Sequence, residues 1–351
     1  MLCFLYVCVL GENKIAVFTI DADTGWLTPQ AEVMTSGGPA VLAIGPDRHM
    51  LYVGHRAQPA ISSFWIDHDT GGLTPRGTVS AEGAPTFLAT DRTGKYLLSA
   101  YYQGGYAAVH PLAEDGAVGA SPLDRLTTAA GAHAIQTDAS NRFAFVPHIA
   151  RLYDNVLEPP KDSDGPNVIL QFKFDANTGQ LTPNSPFRVE PAERLGPRHY
   201  CFHPSQGLVY FSNEQGSSVS SYRLDPATGT LSVVQTISTL PEGYTARNTC
   251  SQIHLVSSAK FLYVANRGHN SIAGFAVDTS GRLTAIGHIS TEAVPSNFSL
   301  DPGGRFIFAA GSESGRLASY RINDETGTLT RLATYTVGRR PMGMIAIRLG
   351  D

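Results

Sequence analysis

Only 16% of the 351 residues are charged, yet ionisable side chains gather at two kinds of place along the chain. One is the end of a short apolar run. His55 and Arg56 follow MLYVG, Tyr101 and Tyr102 follow YLLSA, His148 follows FAFVP, Glu214 follows VYFSN and Arg267 follows YVAN. The other is the start of a second class of segment: His133 in AHAIQTD, Arg198 in PRHYCFH, His254 in QIHL and Asn297 in PSNFSL. A histidine and a carboxylate such as His133 and Glu214 can take up or deliver a proton. Two guanidiniums, Arg198 and Arg267, can hold a carboxylate or phosphate bidentately or stabilise an oxyanion. The competing reading is a structural ion network, because buried charges are costly unless paired. Charges converging in a cleft favour a functional site. His133, Glu214 and His254 are the candidates for a metal site, but no HxH, HExxH or Asp/Asn-rich pattern accompanies them, so neither metal nor cofactor is expected. His199, His203 and His269 are expected to be satisfied structural histidines.

For these residues to meet, the chain must return repeatedly to one place, and a repeat provides for that. A polar turn recurs as DADTGWLT (21–28), DHDTGGLT (67–74), DANTGQLT (175–182) and DPATGTLS (225–232), with weaker copies at Gly116, Gly281 and Gly327. The turn glycines Gly25, Gly71, Gly116, Gly179, Gly229, Gly281 and Gly327 lie 46, 45, 63, 50, 52 and 46 residues apart. A period near 50 with a glycine-bearing hairpin in each unit predicts an all-β, seven-bladed β-propeller of four-stranded antiparallel blades. The apolar runs are the second strands of the blades, and the Gly/Pro-led segments are the inner strands. Inner-strand starts and second-strand ends then share one rim of the central channel, where closed β-folds place ligand pockets. The chain opens with a second strand (4–7, FLYV) and closes with an unpaired inner strand from Pro341. The final strand is therefore expected to complete the first blade and remove an exposed sheet edge. Residues 1–351 read as a single domain, with 149–166 (IARLYDNVLEPPKDSDGP) as a loop inserted over the candidate rim.

Composition excludes several classes. The formal net charge is −4 with no basic run, so nucleic acid is not an expected partner. The apolar start, residues 2–10, lacks a basic leader and is needed as a strand. No stretch is long enough to span a bilayer. Cys3, Cys8, Cys201 and Cys250 show no paired spacing and read as free thiols, which points to the cytoplasm. A WD-type scaffold is disfavoured, since neither Trp26 nor Trp65 precedes an aspartate.

At AGAHAIQTD, GPRHYCFHP, VYFSNE, IHL and YVANR the chain resembles the seven-bladed β-propeller lactonase family over essentially its whole length. That family includes propeller-type 6-phosphogluconolactonases and 3-carboxy-cis,cis-muconate lactonizing enzymes. The resemblance implies a site of His133, Arg198, Glu214 and Arg267, with no cofactor. His148, His254, Arg56, Tyr101 and Asn297 are the expected substrate-binding residues on the same rim. The implied substrate is a small anionic sugar-acid lactone such as 6-phosphogluconolactone. The alternatives are a lactonizing cycloisomerase acting on a carboxymuconate-type diacid and a non-catalytic sugar-acid-binding propeller.

Overall fold

The computed structural model describes residues 2–154, 156 and 158–350. They form seven four-stranded antiparallel sheets arranged as blades in a ring, with one short 3-10 turn at Leu10–Glu12 and no α-helix among them. The first blade is built from both ends of the chain. Its order is Pro341–Leu349, Leu2–Val9, Lys14–Ile20 and Leu27–Met34, with Phe4 opposite Ile347 and Tyr6 opposite Ile345. The expected closure of the ring is therefore present.

The repeated turn explains both its aspartate and its glycine. The Asp21 carboxylate accepts the N–H groups of Asp23 and Thr24 at 3.0 and 2.9 Å, and Asp67 does the same for Asp69 and Thr70. This local pairing is the Asx turn that such sequences favour. All seven turn glycines have positive φ, from 67° to 84°. Each also presses on a residue at or near the start of the neighbouring blade's second strand. A Cβ on Gly71 would come within 2.4 Å of Phe4, and one on Gly229 within 2.0 Å of Phe143. Gly25 closes the circle against Phe306. Two residues further along that strand, Tyr6, Tyr52 and Tyr263 donate their hydroxyls to the carbonyls of Gly71, Gly116 and Gly327 at 2.9, 3.0 and 2.7 Å. The aromatic character of the second strands thus ties blade to blade. Between blades the faces interdigitate, as Leu5 and Val7 do with Phe306 and Phe308.

Two local features position the site. The inner strands bulge where they enter the mouth, at Pro39/Val41, Pro197/Tyr200, Cys250/Ile253 and Pro295/Asn297. A bulge breaks the two-residue alternation and re-aims side chains. The strand expected from Gln252 accordingly begins earlier and spans Thr249–Leu255. The insertion leaves the fourth blade after Phe143–His148 and is pinned at its base by Leu152 N to Ser163 O (2.8 Å) and Gly165 N to Ala150 O (2.7 Å).

Candidate active site

The mouth holds a cavity of about 510 Å³ lined by His133, Arg198, His199, Glu214 and Arg267, with Tyr102 on one side and Arg56 on another. Glu214 is its electrostatic centre. It follows the strand Leu208–Asn213, and its backbone is held on both sides by Gly196 O (2.7 Å) and Cys250 N (2.9 Å). Its carboxylate meets Arg198 Nε at 3.1 Å, Arg267 Nη2 at hydrogen-bonding distance and His133 Nε2 at 3.9 Å. Arg267 ends the strand Phe261–Arg267 and also donates to Cys250 O at 3.0 Å. Burial pushes the Arg198 guanidinium down to about 9, against the pull of Glu214, with Arg267 and Arg56 adding to the fall.

His133 lies three residues ahead of the short inner strand Gln136–Thr137, later than the expected strand start, and is held by its N–H donated to Pro147 O at 3.0 Å. Its ring is enclosed edge-on by His199 (5.0 Å) and Tyr102 (5.8 Å). Burial first, and then Arg198 and His199, hold it well below the ordinary histidine value. His133 is therefore a neutral imidazole at neutral pH, free to accept a proton. Among the described residues, His133 Nδ1, Arg198 Nε, Glu214 Oε2 and Arg267 Nε are buried and have no aligned hydrogen-bond partner. The Arg198–Glu214 contact is thus an ion pair without a linear hydrogen bond. Such atoms are costly in a dry core, and they are what a substrate-binding surface presents.

His199 lies beside Arg198 on the same bulge and faces the same cavity, contrary to the expectation that it is only structural. Its Nδ1–H is donated to Gln252 Oε1, and Arg198 Nη1 donates to its Nε2 at 3.3 Å. Gln252 in turn lies 3.1 Å from His254 Nε2, which donates to Phe298 O at 2.9 Å. His203 and His269 are structural: His203 caps a turn and His269 bonds Ser271.

Of the remaining expected residues, Arg56 and Asn297 line the cavity. Tyr101, His148 and His254 do not. Tyr101 is stacked on Tyr106 (4.1 Å, 17°), and the next residue, Tyr102, reaches the mouth instead. His148 is fully buried, its Nδ1–H donated to Val146 O at 3.1 Å. His254 is packed on Phe298 with its ring centroid 4.9 Å away. Burial pushes both histidines down to about 4. No group of three or more metal-ligating side chains occurs among the described residues. Arg340, Ser296 and Met342 also line the cavity and were not anticipated. The insertion contributes Tyr153, Asp154 and Glu158. Tyr153 N donates to Tyr102 Oη at 2.7 Å, and Arg247 grips both the Asp154 carboxylate and the Glu158 carbonyl.

The family pattern described as lactonase, seven-bladed β-propeller, matches residues 4–346. The chain belongs to that family. A 6-phosphogluconolactonase of Pectobacterium carotovorum is 34% identical over 350 residues, covering 98% of each chain. One of Yersinia pestis is 33% identical over 343 residues, covering 96% of each. Among solved structures, a Lactobacillus plantarum protein superposes with TM-score 0.86 at 26% identity, covering 99% of this chain and 100% of that one. A periplasmic gluconolactonase of Pseudomonas aeruginosa gives TM-score 0.88 at 23% identity over the whole of both chains, which speaks to the fold alone. This lactonase is thus an enzyme, a carboxylic-ester hydrolase in class. No helix among the described residues is long and apolar enough to cross a membrane.

Proposed function

We propose that this lactonase hydrolyses a small anionic sugar-acid lactone, with 6-phosphogluconolactone as its first candidate, and that His133 is the general base. The observation that carries this reading is the convergence of His133, Arg198 and Arg267 on the one buried carboxylate of Glu214 at the wall of a single cavity, with His133 Nδ1 and Arg267 Nε left without a hydrogen-bond partner. Neutral His133 draws a proton from water as that water adds to the lactone carbonyl. Glu214, 3.9 Å away, stabilises the imidazolium that forms. Arg198 and Arg267, fixed by Glu214, face the oxyanion. Collapse of the tetrahedral intermediate breaks the ring C–O bond, and the imidazolium returns its proton to the leaving alkoxide. Water is thereby added across the acyl–oxygen bond, and His133 ends neutral. The general base contributes roughly a hundred- to ten-thousandfold.

Residues 1–351 act in this reading as one unit, with 149–166 as a lid: Tyr153, Asp154 and Glu158 reach the cavity and Arg247 holds the segment down. The relatives named 6-phosphogluconolactonase support the substrate class. The four unpaired cysteines favour a reducing compartment, the cytoplasm. The test is hydrolysis of 6-phosphogluconolactone, unphosphorylated sugar-acid lactones and carboxymuconolactone, corrected for spontaneous opening, with and without chelator. Chelator-insensitive turnover that falls on the order of a hundredfold or more in Arg198→Ala supports the reading. A folded wild-type protein that opens none of the three lactones refutes it.

A further inference from the structure

The main cavity does not end at the catalytic cluster. A second compartment of about 480 Å³ adjoins it, and the two share Arg56, Glu158, Arg267, Ser296, Arg340 and Met342 as walls. Arg198 and Arg267 are neutralised in part by Glu214, but Arg56 and Arg340 are not matched in this way. Two carboxylates line the second compartment. Glu158 is paired with Lys161, and Glu313 and Arg340 are both exposed, so each meets water as well as the compartment. Among the described residues no carboxylate lies within ion-pair distance of Arg56 or Arg340. Burial, and then the charges of Arg340 and Arg267, lower the affinity of Arg56 for its proton.

The repeat places Arg340 at a position that other blades give to glycine. The residue just before an inner-strand proline has positive φ in four blades: Gly38 (69°), Gly196 (68°), Val294 (57°) and Arg340 (53°). Two of these are glycine, the residue such a conformation favours. The other two carry a Cβ in the unfavourable left-handed region, and both line the second compartment. A β-branched residue at positive φ is a genuine outlier. At these two positions the chain places a side chain where two other blades have glycine, and both are among the residues that wall this space.

We propose that Arg56 and Arg340 form the subsite for a phosphoryl dianion at the end of the substrate remote from the lactone carbonyl. This rests on the lactonase reading and moves the recognition of the substrate's charge away from Arg198 and Arg267, leaving that pair to the oxyanion. Arg340 is a specificity residue: it binds the tail and takes no part in the proton transfers.

The experiment compares 6-phosphogluconolactone with glucono-1,5-lactone in wild type, Arg340→Gly and Arg56→Gln. The ratio of kcat/KM for the phosphorylated over the unphosphorylated lactone falls roughly ten- to a hundredfold in each variant, mostly through KM, as for loss of a charge-assisted contact. Arg340→Gly melts no lower than wild type, because glycine suits the left-handed backbone. An unchanged ratio, or equal losses on both lactones, overturns the subsite. If wild type opens neither lactone, the lactonase reading fails, and calorimetric titration with 6-phosphogluconate and gluconate decides the subsite alone. Wild type then prefers the phosphorylated acid and Arg340→Gly loses that preference, or the subsite falls too.

Discussion

Replacing Glu214 by glutamine removes the single negative charge that Arg198 and Arg267 share. The side chains of Glu214, Arg198 and Arg267 are 6%, 8% and 10% exposed, so solvent does little to screen what is left behind. Removing one partner of a buried ion pair costs about 3–5 kcal/mol, chiefly because the other charge stays buried and uncompensated. For a chain of 351 residues the unfolding entropy is roughly 0.7 kcal/mol per kelvin, so the melting midpoint drops by about 4–7 °C. The informative comparison is with Arg198→Gln and the double variant. If the cost of Glu214→Gln is stranded positive charge, deleting Arg198 as well relieves part of it. The double variant then melts above the additive expectation, by a coupling on the order of 2 kcal/mol or about 3 °C. Glu214→Ala in formate recovers part of its lost midpoint, because a small carboxylate fits between the arginines. Glu214→Gln recovers nothing, since its amide fills the space. Strict additivity of the two substitutions, or a Glu214→Gln midpoint equal to wild type, would refute the assignment of Glu214 as the charge that holds the arginines together.

Four further outcomes follow from the same geometry. His55, His148 and His254 are held neutral by burial with values near 4, whereas an unfolded histidine titrates near 6.5. As pH falls through 6.5 the unfolded chain takes up protons that the native one refuses, so the melting midpoint declines between pH 6.5 and 4; a level profile over that window contradicts the burial argument. His133 lies lower than an ordinary histidine for the same reason, and kcat/KM stays flat from pH 8 down to 6 instead of bending near 6.5. Arg247→Met releases the insertion from Asp154, whose pair is partly exposed and worth about 1 kcal/mol, so KM rises roughly fivefold and proteolysis within 149–166 quickens; no change in either removes the latch. Deleting residues 341–351 strips the inner strand from the first blade and uncovers Leu2–Val9, and the product shows no cooperative melt.

The fold was legible because its signals are local. An Asx turn with a positive-φ glycine needs only eight residues to be recognised, and the aromatic second strands repeat at a fixed offset from it. Closure by the last strand followed from the mismatch between the two chain ends. The rim residues were less legible because strand alternation has a phase that sequence does not reveal. Tyr101 and Tyr102 are adjacent, and it is Tyr102 that faces the cavity while Tyr101 stacks on Tyr106. His148 ends its strand but turns its ring back onto Val146 O. His199 was read as structural because a lone histidine at a strand end is more often a satisfied structural residue, whereas the bulge between Pro197 and Tyr200 breaks the alternation of the strand and brings Arg198 and His199 to the cavity together. Arg340 carried a faint signal: it occupies, before Pro341, a position that two other blades fill with glycine.

These departures from repetition explain how a seven-fold ring becomes a directional pocket. Seven blades offer seven nearly equivalent sets of rim positions, and identical side chains at all of them would bind only a symmetric ligand. Here the fourth, fifth and sixth blades supply His133, Arg198 with Glu214, and Arg267. The seventh, first and second supply Val294 with Ser296, Arg340, and Arg56. The insertion springs from the fourth blade and is latched by Arg247, which lies between the fifth and sixth, and it reaches both compartments, the first through Tyr153 and Asp154 and the second through Val156, with Glu158 shared. The second compartment meets the first through Arg56, Arg267 and Arg340, opposite the His133 wall of the blade order. A substrate spanning both compartments must carry its electrophilic carbonyl at one end and its charge at the other. Each turn glycine packs on the neighbouring blade's second strand, and tyrosine hydrogen bonds add to this contact at Gly71, Gly116 and Gly327, so the separation between the two ends is set by the scaffold. Under the proposed subsite, discrimination among sugar-acid lactones is a matter of length and terminal charge, read by Arg56 and Arg340.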